Sequence, residues 1–266
     1  MPKQRLDSLL AARGLFASRS RAAASIMAGE VQVGRERRTA SKPGELVEQD
    51  APLEVRERRR FVSRGGIKLA NALTASGVAV DGRPAIDVGA STGGFTDCLL
   101  QAGARAVIAV DVAYGQLDYA LRNDPRVHVL ERTNARSLTR GELPFAPELA
   151  VIDLSFISLA KVLPAVLAAL APRHDVLALV KPQFELGPGR VGRGGVVRDP
   201  ADRRDALLAV GRAALDLGAS VLGFFSSQLP GPKGNRESFI WLGEPGRAGA
   251  AAGEPALLAM AREVEP

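Results

Sequence analysis

Runs of mostly apolar residues, many of them β-branched, recur along the last three quarters of this 266-residue chain, most of them closing in a polar or glycine-rich break. They fall at about 85–88, 106–110, 127–130, 149–154, 176–180, 221–225 and 238–242. Helical spacing separates most of the runs, which predicts an α/β fold: a parallel sheet with helices on both sides. The last two runs are joined without a helix and are expected to form an antiparallel edge. Upstream, Leu6, Leu9 and Leu10 fall at helical spacing with Gly14 as a stop. Ser18 can cap a second helix that runs to Ala28 and ends at Gly29. Val31-Gln32-Val33-Gly34 reads as a short strand and turn, and residues 67–76 as a further helix carrying Lys68. Beyond Gly243 the chain is rich in Ala, Gly, Pro and Glu; a mobile tail is expected there, with a short helical patch near 255–264.

The first strand of the α/β region ends in Ile86-Asp87-Val88-Gly89-Ala90-Ser91-Thr92-Gly93-Gly94-Phe95-Thr96-Asp97 and leads at once into a helix over 96–102. Strand, glycine loop and helix in this order place backbone N–H groups and a helix N-terminus at a nucleotide-like ligand. The loop has neither G-x-G-x-x-G nor a Lys after the glycines, so a pyrophosphate or triphosphate is not its natural guest. An acid just before the loop suits a ligand with an amine, and S-adenosylmethionine (SAM) has one on its methionine part. The next strand ends at Asp111, roughly 20 residues on, where a carboxylate can hydrogen-bond a ribose diol. The expected cofactor-binding set is Asp87, Gly89, Ala90, Ser91, Thr92, Gly93, Gly94, Phe95, Thr96, Asp111, Val112, Asn134 and Asp153. Asp87 should face the methionine end, and residues 89–94 should let the cofactor approach the backbone.

Charge adds a second ligand. Residues 1–60 hold 13 Lys/Arg against 8 Asp/Glu, whereas the rest of the chain holds 22 against 21. A basic bias confined to one small segment is an electrostatic footprint for a polyanion. Lys3, Arg5, Arg19, Arg21, Arg35, Arg37, Arg38 and Lys42 surround the predicted helix pair and strand, and Arg58, Arg59, Arg60 and Arg64 follow in a linker. Arg60, Arg64 and the first seven of these are the candidate RNA contacts. One cysteine, Cys98, excludes an internal disulfide and a multi-cysteine metal site. With only His128 and His174, no metal is expected. No apolar run approaches the ~20 residues that cross a bilayer. Met1-Pro2-Lys3-Gln4-Arg5-Leu6-Asp7 has no signal-peptide core. No membrane partner is expected, and the cytoplasm is the expected address.

Catalytic groups should lie at the carboxyl tips of parallel strands. Val151-Ile152-Asp153-Leu154-Ser155-Phe156 and Leu179-Val180-Lys181-Pro182-Gln183-Phe184-Glu185 put a carboxylate and an ammonium at neighbouring tips. Lys68 sits on the helix entering the domain, and Glu237 at the start of the last strand. Residues 185–195, with five glycines and two arginines, are expected to act as a lid.

The first sixty residues, with Arg5-Leu6-Asp7-x-Leu9-Leu10, Ser18-Arg19-Ser20-Arg21-Ala22 and Ile26-x-x-Gly29, resemble the alpha-L RNA-binding domain first known from ribosomal protein S-four. Arg64-Gly65-Gly66-x-Lys68, the glycine loop, Asp153-Leu154-Ser155-Phe156, Lys181-Pro182-Gln183-Phe184-Glu185 and Pro230-Gly231-Pro232-Lys233-Gly234-Asn235-x-Glu237 resemble the TlyA family, whose members carry the name hemolysin. That resemblance implies a Rossmann-like class I SAM-dependent methyltransferase with an antiparallel edge strand, preceded by a small α+β RNA-binding domain. It implies ribose 2'-O-methylation of a cytidine in 16S or 23S ribosomal RNA, or both. Lys68, Asp153, Lys181 and Glu237 match the Lys-Asp-Lys-Glu tetrad of the related RrmJ/FtsJ methyltransferases. Lys181 is the expected base, with Lys68 lowering its pKa and steering the hydroxyl, and with the two acids orienting the lysines. The expected divisions are an RNA-binding domain over 1–58, a linker over 59–65, a methyltransferase domain over 66–243 and a tail over 244–266. Competing readings are a non-catalytic ribosome-assembly factor, a pore-forming hemolysin and a pseudouridine synthase. The tetrad argues against the first, the lack of a membrane-spanning run against the second, and the glycine loop with Asp111 against the third.

Overall fold

The computed structural model describes residues 2–55, 60–192, 194–231 and 233–265. Arg58, Arg59, Arg193 and Pro232, which the motifs and the linker include, lie outside the described residues. The chain divides into two compact units, Met1–Arg59 and Arg60–Pro266.

In the first unit, β1 (Lys3–Arg5) leads into α1 (Leu6–Ala12) and α2 (Arg19–Met27), followed by β2 (Val31–Val33), β3 (Arg38–Thr39), β4 (Leu46–Glu48) and β5 (Leu53–Val55). The Ser18 hydroxyl caps α2 by accepting the Arg21 N–H, and Gly29 takes φ +71° to end it, as the sequence predicts. Leu6, Leu9, Leu10, Ala22, Ile26, Val31 and Val47 form one small core. Strand β2 pairs antiparallel with β3 and β5, and β1 pairs antiparallel with β4.

The second unit opens with α3 (Arg64–Ser76) and continues β6 (Pro84–Val88), α4 (Gly94–Gln101), β7 (Ala106–Val110), α5 (Tyr119–Arg122), β8 (Val127–Leu130), β9 (Leu149–Ile152), α6 (Leu163–Ala169), β10 (Asp175–Val180), α7 (Pro182–Glu185), α8 (Pro200–Asp216), β11 (Ser220–Ser226), β12 (Ser238–Gly243) and α9 (Glu254–Val264). The seven strands form one sheet in the order β11-β12-β10-β9-β6-β7-β8. Pairs from β10 to β8 are parallel, while β12 runs antiparallel to both its neighbours. The reversed strand thus lies one place in from the edge that β11 forms. Strand side chains alternate between two buried clusters. Ile86, Ile108, Ile152 and Val180 enter one, and Ala85, Val107, Val151 and Leu179 enter the other. Each buried Leu, Ile or Val contributes roughly 1.5–3 kcal/mol of apolar transfer, which both faces of the sheet collect.

Two expected boundaries move. From Arg60 the expected linker is part of the second unit: Phe61 is buried, and the Val62 N–H donates to the Asp97 carboxylate at 2.8 Å. Gly66 allows this, because a Cβ there would lie 2.4 Å from the Phe61 ring. Residues 244–266, expected as a mobile tail with a short helical patch near 255–264, carry that patch as α9, but packed rather than mobile, with Leu257 and Ala261 fully buried. Gly211 in α8 leaves the space that Leu257 fills, and Arg203 is ion-paired with Glu265 at 2.7 Å.

Candidate functional site

Strand register gathers the chemistry at one edge. Val88 pairs with Val110 and with Ile152, so the glycine loop, Asp111 and Asp153 follow neighbouring strand ends. Val180 pairs with Ser238, and because β12 runs backwards the residue that precedes it, Glu237, lies at the same edge as Lys181. Two ion pairs result. Lys181 Nζ is 2.5 Å from Asp153 Oδ1 and donates to Ser155 Oγ at 3.2 Å. Lys68, one turn into α3, pairs closely with Glu237, and both are buried. Sequence reasoning named all four residues but missed Ser155, although it lies in the same motif.

The glycine loop departs in detail from what its composition suggests. Gly89 (φ +90°) is required by the neighbouring strand tip, since a Cβ would sit 2.4 Å from the Asp153 carbonyl oxygen. Gly93 and Gly94 are likewise closed over, by Leu121 and by Ser63. Ala90 is buried as well, and the loop's exposed part is Ser91 and Thr92. The side chains of Phe95 and Thr96 are buried. Phe95 packs against Phe239 with ring centroids 5.9 Å apart, and Thr96 is fully buried. The reason is that α4 begins at Gly94 and turns these two side chains into the core.

Asp87 lies under the loop with no exposed surface. The Thr96 hydroxyl donates to its Oδ2 at 2.7 Å, whereas its Oδ1 has no hydrogen-bond partner. Burial pushes this carboxyl up to about 7; the Thr96 bond opposes the shift, and the charges of Asp153 and Asp111 add to it. Asp111 accepts the Ser91 N–H at 2.7 Å and the Ala113 N–H at 2.8 Å, which fixes the loop to the second strand tip. Val112 is exposed beside it, and the Asn134 side chain accepts the Arg136 N–H at 3.1 Å.

The orphaned Asp87 oxygen and the Asp111 carboxylate, whose oxygens each keep a lone pair, suit a ligand with an amine at one end and a ribose at the other. SAM is such a ligand. Among the described residues, no group of three or more His, Cys, Asp or Glu is placed to hold a metal ion, and no helix is long and apolar enough to cross a membrane.

The basic residues of the first unit are unequally free. Arg5 and Arg19 both pair with Asp7, at 2.7 and 3.1 Å, and the Arg5 bond leads in holding the Asp7 carboxyl well below the usual range. Arg37 pairs with Glu54 and Arg38 with Glu45. Lys3, Arg21, Arg35 and Lys42 are exposed. In the second unit Arg60 lies over the Phe61 ring at 4.8 Å, and Arg64 donates to the Pro230 carbonyl at 3.1 Å. The glycine-rich stretch after α7 is tied down: Arg190 pairs with Asp202 and Asp205, and the Asn235 amide donates to the Gly195 carbonyl at 2.6 Å.

A seven-stranded sheet with one reversed strand and a glycine loop over a buried acid defines the SAM-dependent methyltransferase class, and the chain belongs to the FtsJ-like methyltransferase family, which its residues 61–244 match. Residues 4–43 match the S4 domain. More particularly, the chain is 51% identical over 242 residues to the 16S/23S rRNA (cytidine-2'-O)-methyltransferase TlyA of Mycobacterium tuberculosis, covering 90% of each. It is 39% identical to Hemolysin A of Brachyspira hyodysenteriae, over 88% of this chain and 97% of that one. A solved structure from Streptococcus thermophilus, also described as a hemolysin, superposes with a TM-score of 0.73 at 39% identity, covering 99% of this chain and 97% of that chain.

Proposed function

We propose that this chain methylates the 2'-hydroxyl of a cytidine ribose in 16S ribosomal RNA, 23S ribosomal RNA or both, with Lys181 as the base. The observation that carries this reading is the pair of Lys–acid contacts, Lys181–Asp153 and Lys68–Glu237, at the strand edge beside the glycine loop. The rRNA assignment draws on the TlyA relative, whose name specifies that reaction.

SAM, when bound, supplies an electrophilic methyl group on a sulfonium, so what remains for the protein is alignment and proton removal. Asp111 would hold the ribose diol and the loop of residues 89–94 the rest of the cofactor, with Asp87 beneath its amine end. The Asp153 carboxylate lies 2.5 Å from the Lys181 amine and the Ser155 hydroxyl oxygen accepts from it at 3.2 Å, and these two contacts hold the amine at the strand edge. Lys181, in its neutral form after giving its own proton to solvent, takes the proton of the 2'-hydroxyl on its lone pair as the oxygen becomes nucleophilic. Lys68, held by Glu237 in a buried contact, steers the same hydroxyl. Mapping 2'-O-methyl sites in rRNA incubated with the protein and SAM tests the reading directly: new methylated cytidines are expected, and their absence on intact subunits and on free rRNA would overturn it.

The first unit supplies RNA affinity through side chains that form no ion pair with an acid among the described residues. Replacing Arg21 and Arg35 together by Ala should therefore reduce the slope of log K against log salt by about 1 per arginine. Filter binding at several salt concentrations measures this, and an unchanged slope removes the two residues from the interface.

A further inference from the structure

Beyond the tetrad, one carboxylate joins the two segments that carry Asp153 and Lys181. Glu185 ends the single turn α7, which starts immediately after Lys181. Its Oε2 accepts the Ser158 hydroxyl at 2.6 Å and its Oε1 accepts the Leu159 N–H at 2.9 Å. Ser158 and Leu159 close the loop that starts at Asp153 and open the 3-10 turn Leu159–Lys161. The two segments are thus joined at three levels. Lys181 meets Asp153 and Ser155 at the sheet edge, Phe184 meets Phe156 with centroids 5.2 Å apart, and Glu185 meets Ser158 and Leu159 at the far end. Between the outer ties Phe156, which is 90% exposed, holds φ +65°, a left-handed conformation uncommon for a bulky residue. Burial raises the Glu185 carboxyl, and the Ser158 and Leu159 bonds oppose that by favouring its charged form.

We propose that Glu185 is a positioning residue: by clamping the turn after Lys181 to the end of the Asp153 loop, it sets the Lys181–Asp153 contact. This rests on the reading of Lys181 and Asp153 as the reacting pair. Nothing in the tetrad itself fixes the two backbones at this end. A shift of about 1 Å in a reacting group can cost about 100-fold in rate, so a modest loosening here reaches the chemistry without touching the cofactor.

The test compares Glu185→Ala, Glu185→Gln and Ser158→Ala in the full-length protein by amide exchange over residues 154–161, by calorimetry with SAM and by rRNA methylation kinetics. Glutamine keeps a carbonyl for the Leu159 N–H and can turn its amide to the Ser158 oxygen, so it should restore what alanine loses. Expected for Glu185→Ala are faster exchange at Leu159, kcat lower by about 10- to 100-fold, and unchanged affinity for SAM. Ser158→Ala, which removes only one of the two bonds, should shift exchange and kcat in the same direction by less. Unchanged exchange overturns the clamp, as does a parental kcat despite faster exchange, or a rate that falls only in step with SAM affinity. If exchange responds as expected but the unsubstituted protein methylates no ribose, the clamp stands and the functional reading falls.

Discussion

Lys181→Ala should lower the rate of methyl transfer by about 10²–10⁴-fold, the usual contribution of a positioned acid or base, while SAM binding stays near the parental value. The separation is expected because Lys181 lies past the end of β10, on Asp153 and Ser155, whereas the loop over Asp87 is fixed from Asp111. Lys181→Arg sharpens the result. Arginine keeps the positive charge but cannot give up its proton at working pH, so a base at this position predicts that Arg fails as Ala does. An arginine variant with substantial turnover would show that the site needs a fixed cation rather than a proton acceptor. Lys68 is a poorer first target. It and Glu237 are both buried, and removing one partner of a buried pair costs about 3–5 kcal/mol. Lost activity in a Lys68 variant would therefore mix chemistry with folding. Single-turnover rates with labelled SAM, alongside equilibrium binding, separate the outcomes at Lys181.

The sheet was legible in the sequence because most of its strands are largely apolar, above all β7, β9 and β10 in the buried middle of the sheet, although β6 carries Asp87 and the half-exposed β8 carries His128. Short strands left less trace: β3 spans two residues and β4 three, with one buried side chain between them. The packing of α9 was hidden for a different reason. It depends on the space left by Gly211 and on the Arg203–Glu265 pair, and neither can be seen from the segment's own composition. In the site, Lys68, Asp153, Lys181 and Glu237 were legible as residues and Asp153 and Lys181 as neighbours at adjacent strand tips, but the contact between Lys68 and Glu237, which stand 169 positions apart, was not. The glycines of the loop were legible as a turn, yet their reason was not. The Asp153 carbonyl, Leu121 and Ser63 occupy the space that a side chain would need, and all three lie outside the loop. Glu185 stood in a quoted motif without a role because its partners, Ser158 and Leu159, begin another element.

Asp87→Asn should flatten the pH dependence of stability between about pH 4 and pH 7. The carboxyl's ordinary value is 3.8, and burial raises it to about 7 in the folded chain. Across that window the folded protein keeps a proton that the unfolded chain has released, so stability falls as pH rises and levels off once the folded group ionises. About three pKa units at 1.36 kcal/mol each give a change on the order of 4 kcal/mol. Asparagine has no such titration. Its amide oxygen can still accept from Thr96, while its NH₂ takes the place of Oδ1, which has no partner in the parent. That unpaired donor costs about 1–3 kcal/mol at every pH, so the absolute difference between the proteins is less informative than its slope. Urea unfolding of both proteins at pH 4.5, 6 and 8 supplies the slope. The Asn variant should gain on the parent steadily with rising pH, and a difference that stays constant would mean that Asp87 is already ionised beneath the loop at the acid end. A steady gain would leave the free protein at neutral pH with Asp87 close to half-protonated under the glycine loop. A cationic amine arriving beside Oδ1 would then favour release of that proton, so SAM should bind more tightly as pH rises through 7 in the parent and lose that dependence in the Asn variant.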